Sequence, residues 1–140
     1  MGELVCYLPY LDDEGRMPEA RLRLRRAYDP PTPGHDEGKR VLVDRVWPRG
    51  IGREALGADL WLRDLAPSDE LRRWFGHRPE RWEEFRRRYR EELRQPERSR
   101  LLDDLADLVR RGPVTLLYGA KDRGHNQAVV IAQAVEDRRG

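Results

Sequence analysis

The segment Pro113–Gly119, PVTLLYG, most constrains what this chain can fold into. It is a short apolar run with almost no polar interruption. Such a run predicts a strand buried on both faces, as in the interior of a parallel sheet. A polar loop, AKDRGHN (120–126), follows it, and then QAVVIAQAVEDRR (127–139), which reads as a helix with a broad apolar face. KRVLVDRV (39–46) is a second, valine-rich strand candidate, broken at WPRGIG (47–52). Pro48 holds Trp47 in an extended conformation there. Two such strands, each followed by a polar loop and helical sequence, predict an α/β fold. The expected form has three layers: a short, mostly parallel sheet of about four strands, with helices on both faces. Ligands in such folds bind beyond the carboxyl ends of the strands, so the loops WPRGI and GAKDRGHN are where a site is expected.

The remaining segments fill in that frame. RLRLRRAY (21–28) alternates apolar and basic residues, the period of a strand with one wet face. DPPTPGHDEG (29–38) is a loop. ADLWLRDLAP (58–67) suggests a short strand or extended piece. Ser68 before Asp69 and Glu70 reads as a helix cap followed by acids at the positive end of the helix dipole, with Gly76 as the stop. In 77–95, Trp82, Phe85, Tyr89 and Leu93 form one helical stripe. A further helix spans about 97–111, with Leu101, Leu105, Leu108 and Val109 on one face, and ends at Gly112 and Pro113. Residues 1–20 differ in texture and read as an N-terminal extension, either an edge strand or a loose arm, with Met17 as an alternative start. Residues 21–140 read as a single domain.

Composition narrows the function classes. Charged residues make up 39% of the chain, yet the net charge is only +2. Nearly all the basic residues are arginine, since Lys39 and Lys121 are the only lysines. Mixed charge of this kind marks solvated helix faces more often than a nucleic-acid footprint, which would be lopsided. Nucleic acid therefore stays as the second choice of partner. One cysteine, Cys6, excludes an internal disulfide and a CxxC pair. No apolar stretch is long enough to span a membrane, and MGELVCYLPYLDDEG has no signal-peptide pattern, so the expected location is cytoplasmic. No histidine spacing suggests a metal, and no cofactor is indicated.

Three motifs carry a resemblance. VLVDRVWPRGI, LAPSDELRRWFGHRPERWEEFRRRYREEL and VTLLYGAKDRGHNQAVVIA occur in this order over about residues 21–136. The chain resembles the YeaO-like branch of a bacterial family of unknown function. That resemblance implies a bacterial cytoplasmic α/β protein and supplies no substrate, cofactor or catalytic residue. Other branches of the family place a Cys-His pair in the loop before the last helix. Here the region reads Gly124, His125, Asn126, so cysteine chemistry is not shared.

The candidate site residues follow from the two loops. Lys121 and the amides before the last helix would meet an anion, although no Walker A motif or CX5R loop is present. A plain Lys121–Asp122 pair at a turn is the structural alternative. Arg45 and Arg49 flank the bend after the first strand and suit a phosphate or carboxylate. Arg45 also suits a structural ion pair with Asp44, Asp59 or Asp122. His125, of a residue type that titrates near neutrality, is the acid–base candidate, with Asp44 or Asp122 in support. Asn126 is a candidate ligand-binding residue and, more simply, a helix cap. Ser68 reads as a cap and not a nucleophile. The arginines of RRRYR (86–90) are bracketed by Glu83, Glu84, Glu91 and Glu92 at pairing distance along a helix. The combined expectation is a small enzyme or ligand-binding domain for an anionic small molecule, with a nucleic-acid-binding or regulatory module as the alternative.

Overall fold

The computed structural model describes residues 22–30 and 38–139. The expectations for residues 1–20, and most of the Pro/Gly segment with His35, lie outside the described residues. Four strands form one sheet: β1 (Leu22–Arg26), β2 (Lys39–Leu42), β3 (Leu60–Trp61) and β4 (Val114–Tyr118). Their order is β1-β4-β2-β3, and every pairing is parallel. All five residues of β4 are buried, as its unbroken apolar run requires. Leu116 sits between Leu24 of β1 and Val41 of β2, while Leu117 sits between Arg25 and Leu42.

Side-chain alternation assigns the two faces. Val41, Val43, Val114, Leu116 and Tyr118 belong to the larger core. That core is completed by α2 (Asp69–Phe75), α3 (Trp82–Glu92), α4 (Pro96–Arg111) and α5 (Gln127–Arg139). Leu42 and Leu117 point the other way, into a small cluster with Ala27 and Leu56. Leu56 comes from α1 (Arg53–Leu56), a single turn that sequence periodicity does not reveal. Trp47, Ile51 and Trp61 pack around that cluster, and the two indoles meet edge to face at 5.4 Å. Helices thus lie on both faces of the sheet, four on one and one turn on the other.

Most of the expected elements are present with small shifts at their ends. The strand read as 39–46 stops at Leu42, although the Val43 amide still donates to Leu117 O at 3.1 Å. The 58–67 segment becomes β3 and a short 3-10 turn, Arg63–Leu65. Ser68 caps α2: its Oγ accepts from the Leu71 amide at 3.2 Å and donates to Glu92 at 2.5 Å. Gly76 ends α2 in the left-handed region at φ 52°, which is inexpensive for glycine. Gly112 caps α4, as its position before Pro113 suggests.

The stripe of α3 is buried throughout. Phe85 stacks on Phe75 at 4.3 Å, and the Tyr89 hydroxyl donates to Leu65 O at 2.6 Å in the core. Tyr89→Phe leaves the ring in place and strips the Leu65 carbonyl of this donor. It is expected to lower unfolding free energy by about 1–2 kcal/mol, read as a lower urea midpoint at unchanged slope. An unchanged midpoint would show that the hydroxyl contributes nothing to holding the 3-10 turn against α3.

Candidate functional site

After β2 the chain passes to the face covered by α1; after β4 it passes to the face covered by α5. The strand ends diverge at this switch, where an open crevice forms in doubly wound folds. A cleft of about 260 Å³ lies there. Asp44, Arg45 and Val46 line it from the β2 end, Gly119 and Ala120 from the β4 end, and His125, Asn126 and Gln127 from the start of α5. The opposite wall comes from Ala66, Pro67, Arg72, Phe75, His77 and Phe85.

Asp44 ties the two strand ends together. Its Oδ2 accepts from the Gly119 amide at 2.8 Å, and its Oδ1 accepts from the Gln127 side chain. Its own carbonyl accepts from Trp61 Nε1 at 2.7 Å. A Cβ on residue 119 would lie 2.9 Å from Asp44 Oδ2, so glycine is what lets the carboxylate approach the backbone. Burial raises the Asp44 carboxyl from its ordinary 3.8 to about 6, against the opposing pull of the Gly119 and Gln127 hydrogen bonds.

Arg45 finds a partner that the sequence did not suggest. Asp44, Asp59 and Asp122 were its expected counter-ions; the structure pairs it with Asp69, at 3.6 Å. Asp59 is instead held by the Arg40 amide at 2.8 Å, and Asp122 by His125. Asp69 also binds Arg72 at 3.0 Å, so one carboxylate serves two guanidinium groups. The Arg72 hydrogen bond is the main reason its carboxyl lies below the ordinary value, with Arg45 adding its charge. It is the buried Arg45 Nε that faces Asp69 Oδ1, at a distance longer than a hydrogen bond.

The loop before α5 is built differently from an anion cradle. Asp122 Oδ1 accepts from the Gly124 amide at 2.9 Å and the His125 amide at 3.1 Å. Asn126, nearly fully buried, accepts from the Ala128 and Val129 amides and donates to Asp122 O, which makes it the helix cap. Four of the amides that would have received an anion are therefore taken by the loop's own side chains. Lys121 is exposed, lies outside the cleft lining and is not the partner of Asp122. Arg49 is also exposed and outside the lining; its carbonyl accepts from the Tyr28 hydroxyl at 2.9 Å. The loop is anchored from β1, where Arg26 Nε donates to Ala120 O at 2.9 Å, and by a bidentate Arg123–Asp29 pair.

His125 does reach the cleft. Its Nδ1 lies 2.9 Å from Asp122 Oδ2, and its ring packs edge-on against Trp82 at 5.1 Å. The His125 contact is the first cause of the lowered Asp122 carboxyl. The structure thus brings together Asp44, Arg45, His125 and Asn126, with Asp122 behind His125, and leaves Arg49 and Lys121 out. Sequence reasoning missed Arg72, Gln127 and His77. His77 is the only non-glycine residue with positive φ among the described residues, at 58°. The Gly76–His77 pair at a helix end was the available signal for it.

The arginines of α3 form no continuous basic face. Arg86 pairs with Glu83, Arg87 with Glu84 and Glu91, and Arg88 with Glu84. Among the described residues, no cluster of three or more His, Cys, Asp or Glu side chains is placed to hold a metal, and no helix is long and apolar enough to cross a membrane.

A family profile described as "Inactive DUF488-N3 subclade" matches residues 21–139. The chain belongs to that family. An uncharacterised protein of Mycobacterium tuberculosis is 42% identical over 120 residues, covering 86% of this chain and 98% of that one. The uncharacterised protein YeaO of Escherichia coli is 40% identical over 111 residues, 79% of this chain and 93% of its own length. The YeaO-like resemblance read from the three motifs therefore holds. No solved structure matches the chain.

Asp44 has a pH signature of defined sign. A carboxyl whose folded pKa lies above its unfolded value binds its proton more tightly in the native state. Its contribution to stability is thus greatest below about pH 4 and is lost as pH rises to about 6. The shift corresponds to on the order of 3 kcal/mol. Asp44→Asn keeps an acceptor for Gly119 and removes the titration. Urea denaturation from pH 4 to 7 is expected to show the variant gaining roughly 2–3 kcal/mol relative to the parent across that window. A difference that stays flat with pH would mean that Asp44 ionises as an ordinary surface carboxyl.

Proposed function

We propose that this protein binds a small anionic molecule in the cleft at the carboxyl ends of β2 and β4, and that it does so without covalent catalysis. The observation that carries this reading is the Arg45–Asp69–Arg72 arrangement on the cleft wall. Two guanidinium groups that line the cleft share one carboxylate, and the contact of Arg45 Nε with it, at 3.6 Å, is an ion pair longer than a hydrogen bond. One carboxylate balances only one of the two guanidinium charges, and a carboxylate or phosphate oxygen in the cleft would supply a second negative charge. Planar guanidinium groups suit such oxyanions because they offer paired donors.

The catalytic half of the expectation has less support. His125 with Asp122 could move a proton, but the cleft lining contains no Ser, Thr, Cys, Lys or Tyr, and the carboxylate oxygens of Asp44 are held by Gly119 and Gln127. The family's description as an inactive subclade agrees with a binding role. The paired charges on α3 argue against the nucleic-acid alternative.

Thermal denaturation with inorganic phosphate, sulfate and simple carboxylates tests the reading. An anion that binds only the folded state raises the midpoint, by about 2.7 kcal/mol of stability at one hundred times its Kd. Stabilisation by at least one anion class is expected, reduced tenfold or more in apparent affinity by Arg45→Gln and by Arg72→Gln, and unchanged by Lys121→Gln. Stabilisation that survives both arginine variants but disappears in Lys121→Gln would move the site to the loop before α5.

A further inference from the structure

The charge on the cleft floor is opposite to that on its wall. Asp44 is a half-buried carboxylate whose two oxygens receive only neutral donors, the Gly119 amide and the Gln127 side chain. Among the described residues no Lys, Arg or His side chain pairs with it. A shielded charge without a counter-charge is unfavourable, and each carboxylate oxygen keeps a lone pair beyond its one donor. Burial also dominates its titration, in keeping with a site that lacks a cation of its own. The next residue, Arg45, carries the opposite charge, and Arg72 adds a second guanidinium against the single Asp69 carboxylate. Unlike charges thus line one cleft.

Val46, Ala66, Pro67, Phe75 and Phe85 form the apolar part of the lining, beside His77, His125, Asn126 and Gln127. The volume of about 260 Å³ lies below the roughly 300–1,000 Å³ of pockets for drug-sized molecules. A single amino acid suits such a space.

We propose that the ligand is a zwitterion, an α-amino acid with an apolar side chain, whose ammonium group meets Asp44, whose carboxylate meets Arg45 and Arg72, and whose side chain packs on Phe75 and Phe85. This rests on the anion-binding reading above and adds the positive group and the apolar body. An α-amino acid carries both charges in one small molecule, which matches a cleft lined by Asp44 and by Arg45 and Arg72. A plain anion would satisfy the arginines and leave Asp44 without a counter-charge.

The test is isothermal titration of the full chain at pH 7.5. Probes are the apolar and aromatic L-amino acids, the desamino acids 4-methylpentanoate and 3-phenylpropanoate, 3-methylbutylamine, and inorganic phosphate. At least one amino acid is expected to bind, tenfold or more tighter than its desamino counterpart. Asp44→Asn should erase that preference while leaving the weaker carboxylate binding in place. Arg45→Gln and Arg72→Gln should weaken amino acid and carboxylate alike. Carboxylates or phosphate binding as well as the amino acids, with dependence on Arg45 and Arg72, would overturn the zwitterion and leave the anion reading standing. Amino-acid binding indifferent to both arginine variants would overturn the anion reading itself. No heat from any probe, with the chain folded by circular dichroism, would overturn both.

Discussion

The described elements of this molecule are placed by the parallel pairing of β4 with two neighbours at once. Val114–Tyr118 bonds to β1 on one side and β2 on the other, and none of its side chains reaches water. A central parallel strand must have both faces covered, because its side chains alternate between two apolar environments. The large core with four helices lies on one side and the small Trp47–Trp61 cluster on the other. The imbalance follows from chain length between strands. Only α1 fits between β2 and β3, whereas the connection from β3 to β4 contains α2, α3 and α4.

The cleft is a consequence of that wiring. The chain leaves β2 and β4 toward opposite faces, so their carboxyl ends separate and a polar group is needed to close the backbone between them. Asp44 fills that role through the Gly119 amide, and its carboxyl shifts upward as the cost of shielding. The loop after β4 satisfies its own amides through Asp122 and Asn126. Loops that do so need no ligand to satisfy them, and the guanidinium groups that line the cleft are those of Arg45 and Arg72.

Much of the fold was legible because local rules and burial agree. Ser68 caps, Gly76 stops, and the Trp82, Phe85, Tyr89, Leu93 stripe packs inward, each for reasons confined to a few neighbouring residues. The turn of α1 was not legible, since four residues show no helical period. Half of the candidate site was legible for a general reason: loops at strand ends are where such folds bind ligands, and Asp44, Arg45, His125 and Asn126 lie in those loops. Arg49 and Lys121 were expected there by the same reasoning, yet a residue's place in a loop does not say which way its side chain faces.

Sequence alone thus determined the α/β class, the two buried strands, the helix ends and the family, because these depend on periodicity, capping chemistry and ordered motifs. Tertiary structure alone decided the ion pairs and the cleft wall. Arg45 and Asp69 are 24 positions apart in the chain, and Arg72 enters only because α2 folds back across the end of β2. The partner of a charge is set by distance in space, and the sequence between Arg45 and Asp69 contains other carboxylates that would have served equally well.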